Sequence, residues 1–541
     1  MEGRRETGEQ PVRANQRVSL DWTTIKWDQI KHHVGRIQRQ IFCATRAGDF
    51  FKVSRIQKLL AKSLPARLWA VKLVTEINSG RATPGIDGKC YSTPKEKIAL
   101  AESLKLANYK PDPVRVVYIP KPNGELRRLG IPTMRDRAMQ ALVLLGMDSE
   151  WEARFEPHSF GFRPGRSAID AAAHIWNTLM HAKNRTPHPG WVFDADISKC
   201  FDCIDHEALM KKIGANPFSG IIKAWLKAGA VSVSGFEKSE RGTPQGGVIS
   251  PLLANIALDG MERLFGALSK TNKYQCPSRR KGMDKDVAVF RYADDFIILG
   301  PSRYVLTSYV IPKVRGFLAT VGLTLKEAKT RIVNVSEGFE FLGFRFQRFF
   351  RRDGSIKEFS YYPSRERMDR FLVKLKEYLQ HQRSSDIKET IIAMNRRIRG
   401  FCNYFKWSDA HDAFAYLSHR LWEMMGFWTR RRHSTRNWKW LRARYWKTSG
   451  NSKWVFTHNG VCLVSPYTLT TQWWKWPKVR IMASPYDPAL SVYWQSRMKR
   501  GTSWARNWSE SNDLISYRVW TGDTKQPGER REDDSNGDMV T

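Results

Sequence analysis

Residues 289–300, VFRYADDFIILG, place two adjacent carboxylates, Asp294 and Asp295, between two runs of strand-forming apolar residues. A solvated turn is the ordinary setting for an Asp-Asp pair. These flanks are too apolar for an exposed loop, and they read as a buried hairpin with the acids at or beside its turn. A second segment, WVFDADI (191–197), alternates, with Phe193, Ala195 and Ile197 on one face and Asp194 and Asp196 on the other. If the two segments are neighbouring strands, Asp196 and Asp294 converge at one end of a sheet. Carboxylates about 4 Å apart repel by roughly 4 kcal/mol at an effective dielectric of about 20. Only Arg291 lies close enough in sequence to Asp294 to offset that. A hard divalent cation would do so better, because Mg²⁺ takes oxygen ligands and sits between carboxylates and substrate phosphates. Two such ions about 4 Å apart activate an attacking hydroxyl and stabilise the leaving oxygen of a phosphoryl displacement. The pattern predicts a two-Mg²⁺ site.

Charge indicates what the phosphoryl substrate belongs to. The 541 residues carry 90 Lys and Arg against 53 Asp and Glu, a net +37, which points to a polyanionic partner and by default to nucleic acid. A hydrophobic share of 41% is that of a globular protein, and the length leaves room for roughly two to four domains. No stretch approaches the roughly 18 apolar residues of a spanning helix. The N-terminus has no apolar core of a signal peptide and carries Glu2, Glu6 and Glu9, against a transit peptide. Seven scattered cysteines suit a reducing compartment. Cys200 and Cys203 form a CxxC with no second pair at zinc spacing, so they read as packing residues. The expectation is a soluble intracellular protein without a membrane partner, in a bacterial cytoplasm or an organellar matrix or stroma.

Along the chain, spacings such as Val34, Ile37, Ile41 and Ile56, Leu59, Leu60, then Trp69 and Val74, predict helices over 20–80. NSGRATPGIDG (78–88) is a turn-rich break, and VRVVYIPKPNGELRRLGIP (114–132) predicts two strands joined by a Pro-Asn-Gly turn. Helical patterns follow to 185. GWVFDADISKCFDCIDH (190–206) reads as a strand entering a loop and helix, and RGTPQGGVISPLLANIALDGME (241–262) as a Gly/Pro loop opening a helix. GLTLKEAKTRIVNVSEGFEFLGFRFQRFF (322–350) is mixed. From 356 the pattern turns helical and basic: 356–447 holds 21 Lys and Arg against 9 Asp and Glu, and 13 of the 21 tryptophans lie from 420 onward. In YYPSRERMDRFLVKLKEYL (361–379), Phe371, Leu372, Leu375 and Leu379 share a helical face. NRRIRGFCNYFKW and WTRRRHSTRNWKWLRARYW interleave arginines with aromatics, which suits phosphate neutralisation and base stacking in folded RNA. Trp422 and Phe427 are read as helix core, and Arg430, Arg431, Arg432 and His433 as RNA contacts.

FRYADD, with FDADISKCFD upstream and GTPQGGVISPLLANIALDGME between them, resembles the palm of a reverse transcriptase, above all that of the group II intron-encoded reverse transcriptase/maturase family. TPGIDG (83–88), VYIPKPNGELRRLGIPTMRDRAMQ (117–140), SFGFRPGRSAIDA (159–171), GLTLKEAKT (322–330), GFEFLGF (338–344), RRIRGFCNYF (396–405) and ASPYDP (483–488) fall in that family's order, over residues 20–500. The resemblance implies an α+β right-hand polymerase fold: fingers and an antiparallel palm sheet, then an α-helical thumb/maturase domain and a small DNA-binding region. The implied map is an N-terminal helical extension (1–80), fingers and palm (81–355), thumb/maturase (356–447), DNA-binding region (448–510) and a disordered tail (511–541).

It further implies RNA-directed DNA synthesis with two Mg²⁺ and dNTPs on an RNA template with a DNA primer or target. The same chain would bind the group II intron RNA and assist its splicing and mobility. Asp196, Asp294 and Asp295 would be the catalytic set, with Ile197 counted beside them in the metal site. Lys121 and Arg127 would clamp the incoming triphosphate, the arginine as a fork and the lysine as a point charge. Phe201 would close the sugar pocket against a 2′-hydroxyl; RNA polymerases usually carry aspartate at that offset, and here Asp202 is one residue on. Gln245 would contact the nascent pair, and Lys329 would stand near the departing pyrophosphate. Arg163, Arg166, Arg396, Arg397 and Arg399 join the RNA-binding set. Arg396 and Arg397 replace the proline and aliphatic residue that the family often has before IRG, which adds charge. The last cysteine is Cys462 and the last histidine His458, so the zinc-ligated His-Asn-His nuclease of many relatives is not expected downstream. Mobility would then use a primer found without cutting the second strand, for example at a replication fork.

Two other readings stay open. One is a splicing-only maturase whose polymerase has decayed, against which the intact Asp196, Asp294, Asp295, Phe201 and Gln245 count. The other is a related reverse transcriptase repurposed for repair or defence, against which the Arg-aromatic half and ASPYDP count. Oligomeric state is not legible.

Overall fold

The computed structural model describes residues 21–120, 124–181, 190–232, 235–269, 273–275, 280–449, 452–469, 471 and 476–500. The spacings over 20–80 fold as the helices Trp27–Arg46, Phe50–Lys62 and Leu64–Lys72, which pack on Met134–Glu152, a helix buried on nearly every side. The Asp49 carboxylate opens the second of them, accepting from the Lys52 amide at 2.9 Å.

In chain order the strands are β1 (Val114–Pro120), β2 (Leu126–Ile131), β3 (Trp191–Asp196), β4 (Ala230–Ser232), β5 (Gly235–Glu237), β6 (Ala288–Tyr292), β7 (Asp295–Gly300), β8 (Arg331–Asn334), β9 (Phe339–Phe341), β10 (Phe344–Phe350), β11 (Ile356–Pro363), β12 (Trp446–Ser449), β13 (Ser452–His458) and β14 (Val461–Cys462). They form four sheets, ordered β2-β1-β4-β5, β6-β7-β3-β8, β11-β10-β9 and β12-β13-β14. Among the described residues, the pairings of these strands with one another are antiparallel except β1 with β4.

The β6-β7-β3-β8 sheet is covered on both faces. Phe193, Ala195, Phe296 and Ile298 enter one core, shared with Met134–Glu152 and the helix Ser250–Leu258; Val192, Ile297 and Leu299 enter a second, shared with the helix Ala168–His181 and β9–β11. Two-sided burial explains why FIIL reads as an unbroken apolar run rather than an alternating one.

The second core continues into the helices Arg365–His381, Ile387–Phe405 and His411–Arg432. Leu372, Leu375 and Leu379 are buried as their spacing predicts, and Phe371 stacks on Phe401 with centroids 4.3 Å apart. The helical pattern begins later than the sequence suggests: 356–363 is strand, because Phe359 and Tyr361 alternate inward and pair with β10. The C-terminal segment returns to the first half of the chain. Asp170, fully buried, accepts from Trp476 Nε1 (3.0 Å), the Val479 amide (2.9 Å) and Arg497 (2.6 Å), and Tyr486 donates to Asp148 at 2.5 Å. Among the described residues no helix is long and apolar enough to cross a membrane. The 511–541 tail expectation lies outside the described residues.

Candidate active site

Register brings the acids together. β3 and β7 pair so that Asp196 stands opposite Asp295, and β6 pairs Tyr292 with the same Asp295, leaving Ala293 and Asp294 as the hairpin turn. Directly opposite side chains share a face, and like charges there are destabilising. Ala293 sits at φ +59°, a left-handed conformation that costs a non-glycine residue roughly 1–2 kcal/mol. The turn is held there by its surroundings: Arg291 donates to the Ala293 carbonyl at 3.1 Å, and a Cβ on Gly161 would lie 2.4 Å from the Ala293 nitrogen.

Burial, and then the Asp196 charge, raise the Asp294 carboxyl above its ordinary value, while its own backbone, Arg127 and Lys329 pull the other way. Crowding by the surrounding chain and the charges of Asp294 and Asp196 push Asp295 up to about 7. Solvent still reaches Asp295 from the open side, so the like charges are the weightier cause. Lys329 Nζ donates to Asp196 Oδ2 at 2.8 Å, and that bond raises the Lys329 ammonium. Asp194, further back on the same strand, is taken up by Arg331 at 2.8 Å. Among the described residues, Lys329, 133 positions along the chain from Asp196, thus donates directly to one of the acids, while Arg291 lies beneath the turn.

Ile197 follows at the end of β3. The Lys326 amide donates to the Asp196 carbonyl and the Ser198 amide to the Thr324 carbonyl, around an isolated Ile197–Leu325 bridge. In that antiparallel pattern the Ile197 carbonyl turns toward the opposite edge, the side of the aspartate hairpin.

Of the other expected nucleotide contacts, Arg127, Phe201 and Gln245 lie around this end of the sheet. Arg127, on β2, is close enough for its charge to act on Asp294; Lys121 lies outside the described residues. Phe201 is buried on the short helix Cys200–Cys203 directly after β3, and its carbonyl accepts from the Thr243 amide at 2.6 Å. That bond ties it to the loop carrying Gln245. The Gln245 carbonyl accepts from the Gly130 amide at 2.6 Å, and its side-chain Oε1 is buried with no hydrogen-bond partner. Gly246, at φ +121°, brings the loop so near β2 that a Cβ would lie 2.6 Å from the Gly130 carbonyl.

Among the described residues no three or more His, Cys, Asp or Glu already stand at ligand geometry. The donor set nonetheless fits a hard cation. It is all oxygen, mutually repelling and open to solvent, and Mg²⁺ keeps waters and shares substrate phosphates rather than filling a protein cage.

The basic residues divide. Arg163 is buried, with Nε and Nη2 on Glu152 (2.6 and 3.1 Å) and Nη1 on the carbonyls of Glu156 and Ser159. Arg166 is buried too, bonded to the carbonyls of Pro157 and Ala483. Both lie inside the protein, which corrects their expected role as RNA contacts. A short motif reveals the arginines and not that the chain around them supplies their acceptors. Arg396, Arg399, Arg430 and Arg431 are exposed. Arg397 stacks on Tyr378 at 3.9 Å, and Arg432 donates to the Arg383 carbonyl at 2.9 Å. His433 is half-buried, its Nε2 2.7 Å from the Tyr445 hydroxyl, and burial with the neighbouring arginines lowers its pKa. Phe427 is 64% exposed and Trp422 38%, so neither is the core residue expected; Trp422 instead edges Trp438 and Trp446. ASPYDP, expected in the DNA-binding region, keeps Ala483, Ser484 and Tyr486 buried.

Sequence reasoning missed the Lys329–Asp196 bond and the packing behind the turn by Gly161 and Asn255. Gly161 and Asn255 lie in the SFGFRPGRSAIDA and GTPQGGVISPLLANIALDGME motifs, but nothing in those motifs says that they pack behind a turn at 293–294.

The family model for "Reverse transcriptase (RNA-dependent DNA polymerase)" matches residues 119–346. That for "N-terminal domain of reverse transcriptase" matches 22–104, and that for "Group II intron, maturase-specific domain" matches 368–446. Protein YkfC of Escherichia coli (strain K12) is 33% identical over 356 residues, spanning 61% of this chain and 92% of that protein. The group II intron-encoded protein LtrA of Lactococcus lactis subsp. cremoris is 29% identical over 422 residues, 63% of this chain and 69% of LtrA. With polymerase and maturase regions in one chain around the aspartate hairpin, the protein belongs to the group II intron-encoded reverse transcriptase/maturase family and is an RNA-directed DNA polymerase.

Proposed function

We propose that Asp196 and Asp294, with Asp295 and the Ile197 carbonyl beside them, hold two Mg²⁺ ions and extend a primer with deoxynucleotides along an RNA template. The observation that carries this reading is the pairing of Asp196 with Asp295 across β3 and β7, with Asp294 in the adjoining turn. When bound, the two ions would supply the Lewis acidity that activates the primer hydroxyl and stabilises the leaving oxygen. The chain's own residues do the rest. Arg127, with Lys121, receives the triphosphate at the mouth of the β1–β2 hairpin. Phe201 fills the space a 2′-hydroxyl would need, and Gln245 contacts the nascent pair from its loop beside β2. Lys329 leaves Asp196 as the site loads and meets the departing pyrophosphate.

In this reading β6-β7-β3-β8 is the palm sheet, β1–β2 belongs to the fingers, and Arg365–His381 with the two helices after it forms the thumb and maturase region. The exposed arginines 396, 399, 430 and 431, with Phe427 as a stacking platform, face the intron RNA, whose splicing and mobility the protein assists. Phosphate neutralisation by arginine and stacking on exposed rings suit structured RNA.

Primer extension on an RNA template with Mg²⁺ and dNTPs, run beside splicing of the RNA in which the gene resides, tests both halves. Asp294→Asn/Asp295→Asn is expected to abolish extension and keep splicing. No extension by the native chain would leave an RNA-binding splicing cofactor and overturn the polymerase reading.

A further inference from the structure

Arg291 belongs to the motif that carries the aspartates, yet its side chain turns away from them. It is 2% exposed, and its Nη1 donates to the Ala293 carbonyl at 3.1 Å and to Asn255 Oδ1 at 3.0 Å. Asn255, 1% exposed in the helix Ser250–Leu258, donates in turn to the Gly161 carbonyl at 2.9 Å. Gly161 closes the loop by packing against the Ala293 nitrogen, where no Cβ would fit. The turn residue is therefore gripped on both sides, its nitrogen by Gly161 and its carbonyl by Arg291. The backbone of Arg291 is fixed as well: its amide donates to the His158 carbonyl at 3.0 Å, and its own carbonyl accepts from the Phe160 amide at 2.9 Å. Its other terminal nitrogen, Nη2, is buried with no hydrogen-bond partner, so the guanidinium is oriented by the turn and not by its own best solvation.

The Ala293 carbonyl belongs to the peptide unit that ends at the Asp294 nitrogen. Rotation of that unit swings the Cα–Cβ bond of Asp294 and shifts Asp295 behind it. A bond to that carbonyl consequently sets the separation of the two carboxylates and their distance from Asp196.

We infer that Arg291 and Asn255 are positioning residues for the reaction: by holding the Ala293 carbonyl they fix the aspartate turn in the one geometry that receives the metal ions. They touch no substrate and act only through the turn. The inference rests on the metal reading of Asp196, Asp294 and Asp295.

Arg291 has a second, purely electrostatic relation to the buried Glu156 and the half-buried Asp259 nearby, and the two roles separate by substitution. Arg291→Lys keeps the charge but loses the fork that spans the carbonyl and the asparagine. Asn255→Ala keeps Arg291 and removes its brace. Each variant of the full chain is compared with the native protein for kcat and KM in primer extension. Mn²⁺ binding is followed by electron paramagnetic resonance without nucleotide, and thermal melting and RNA binding report the folded state. Outer-shell partners of metal ligands are typically worth about 10- to 100-fold in affinity or activity. The expected result is a fall of that order in kcat and in Mn²⁺ affinity, with KM for dNTP within about twofold and RNA binding unchanged. Folded variants with native Mn²⁺ affinity, or losses that follow the folded fraction alone, would overturn the inference while leaving the site reading intact. A native chain that neither extends a primer nor binds Mn²⁺ overturns the site reading itself, and this inference with it.

Discussion

Phe201 sits directly after β3, buried and tied by its carbonyl to the loop of Gln245. If its ring excludes a 2′-hydroxyl, Phe201→Ala lowers the preference for dNTP over rNTP by about 10- to 100-fold, the usual worth of a pocket filled against a hydroxyl. The ratio of kcat/KM values measures it, and a ratio is insensitive to any loss of folded protein.

Glu156 makes a different kind of prediction. Burial, then the charges of Asp259 and Glu262, raise its carboxyl from 4.5 to about 8. Between those values the folded chain keeps a proton that the unfolded chain gives up, so its contribution to stability falls as pH rises through that window. Glu156→Gln can still accept from the Arg263 amide, which lies 2.8 Å away. Urea midpoints of this variant should decline less between pH 5 and 8 than those of the native chain; equal declines would contradict the assignment.

Residue types were readable from sequence where chemistry alone identifies them, as with Asp196, Asp294 and Asp295. Environment was not: Arg163 and Arg166 are arginines in a loop motif, yet the Glu152 carboxylate and four backbone carbonyls enclose them. Phe427 errs the other way, an aromatic at a helical position that faces solvent.

At the level of elements, the aspartate hairpin was legible because turn residues between apolar runs leave few alternatives, and because period-2 alternation in β3 fixes which face Asp196 takes. The strand at 356–363 was not, since its Tyr-Tyr-Pro sits beside an amphipathic helix and its partner β10 is visible only in the fold. Equally hidden was the return of the C-terminal segment to Asp170. That contact is a buried ion pair, 2.6 Å between Arg497 and Asp170. Removing one partner of such a pair strands the other charge and costs roughly 3–5 kcal/mol. Arg497→Ala is therefore expected to lower the unfolding free energy by that amount in urea titrations, and a change under about 1 kcal/mol would mean that the segment is not anchored there.

The whole molecule carries +37, and its exposed arginines at 396, 399, 430 and 431 lie on the helices of the maturase-matching region. Each phosphate contact on single-stranded nucleic acid contributes about −0.7 to the slope of log affinity against log salt. Replacing all four by alanine should make that slope shallower by roughly 3 between about 50 and 200 mM salt. An unchanged slope would move the RNA surface elsewhere on the molecule.

The proposed polymerase site of the same molecule rests on one juxtaposition, Asp196 beside Asp294 and Asp295. Anomalous diffraction from crystals of the chain with primer–template, a non-hydrolysable dNTP and Mn²⁺ tests it without reference to rate. The expected map has two manganese peaks about 4 Å apart, both touching the carboxylates of Asp196 and Asp294. Peaks bound elsewhere, or a loaded complex with no metal between these acids, would contradict it.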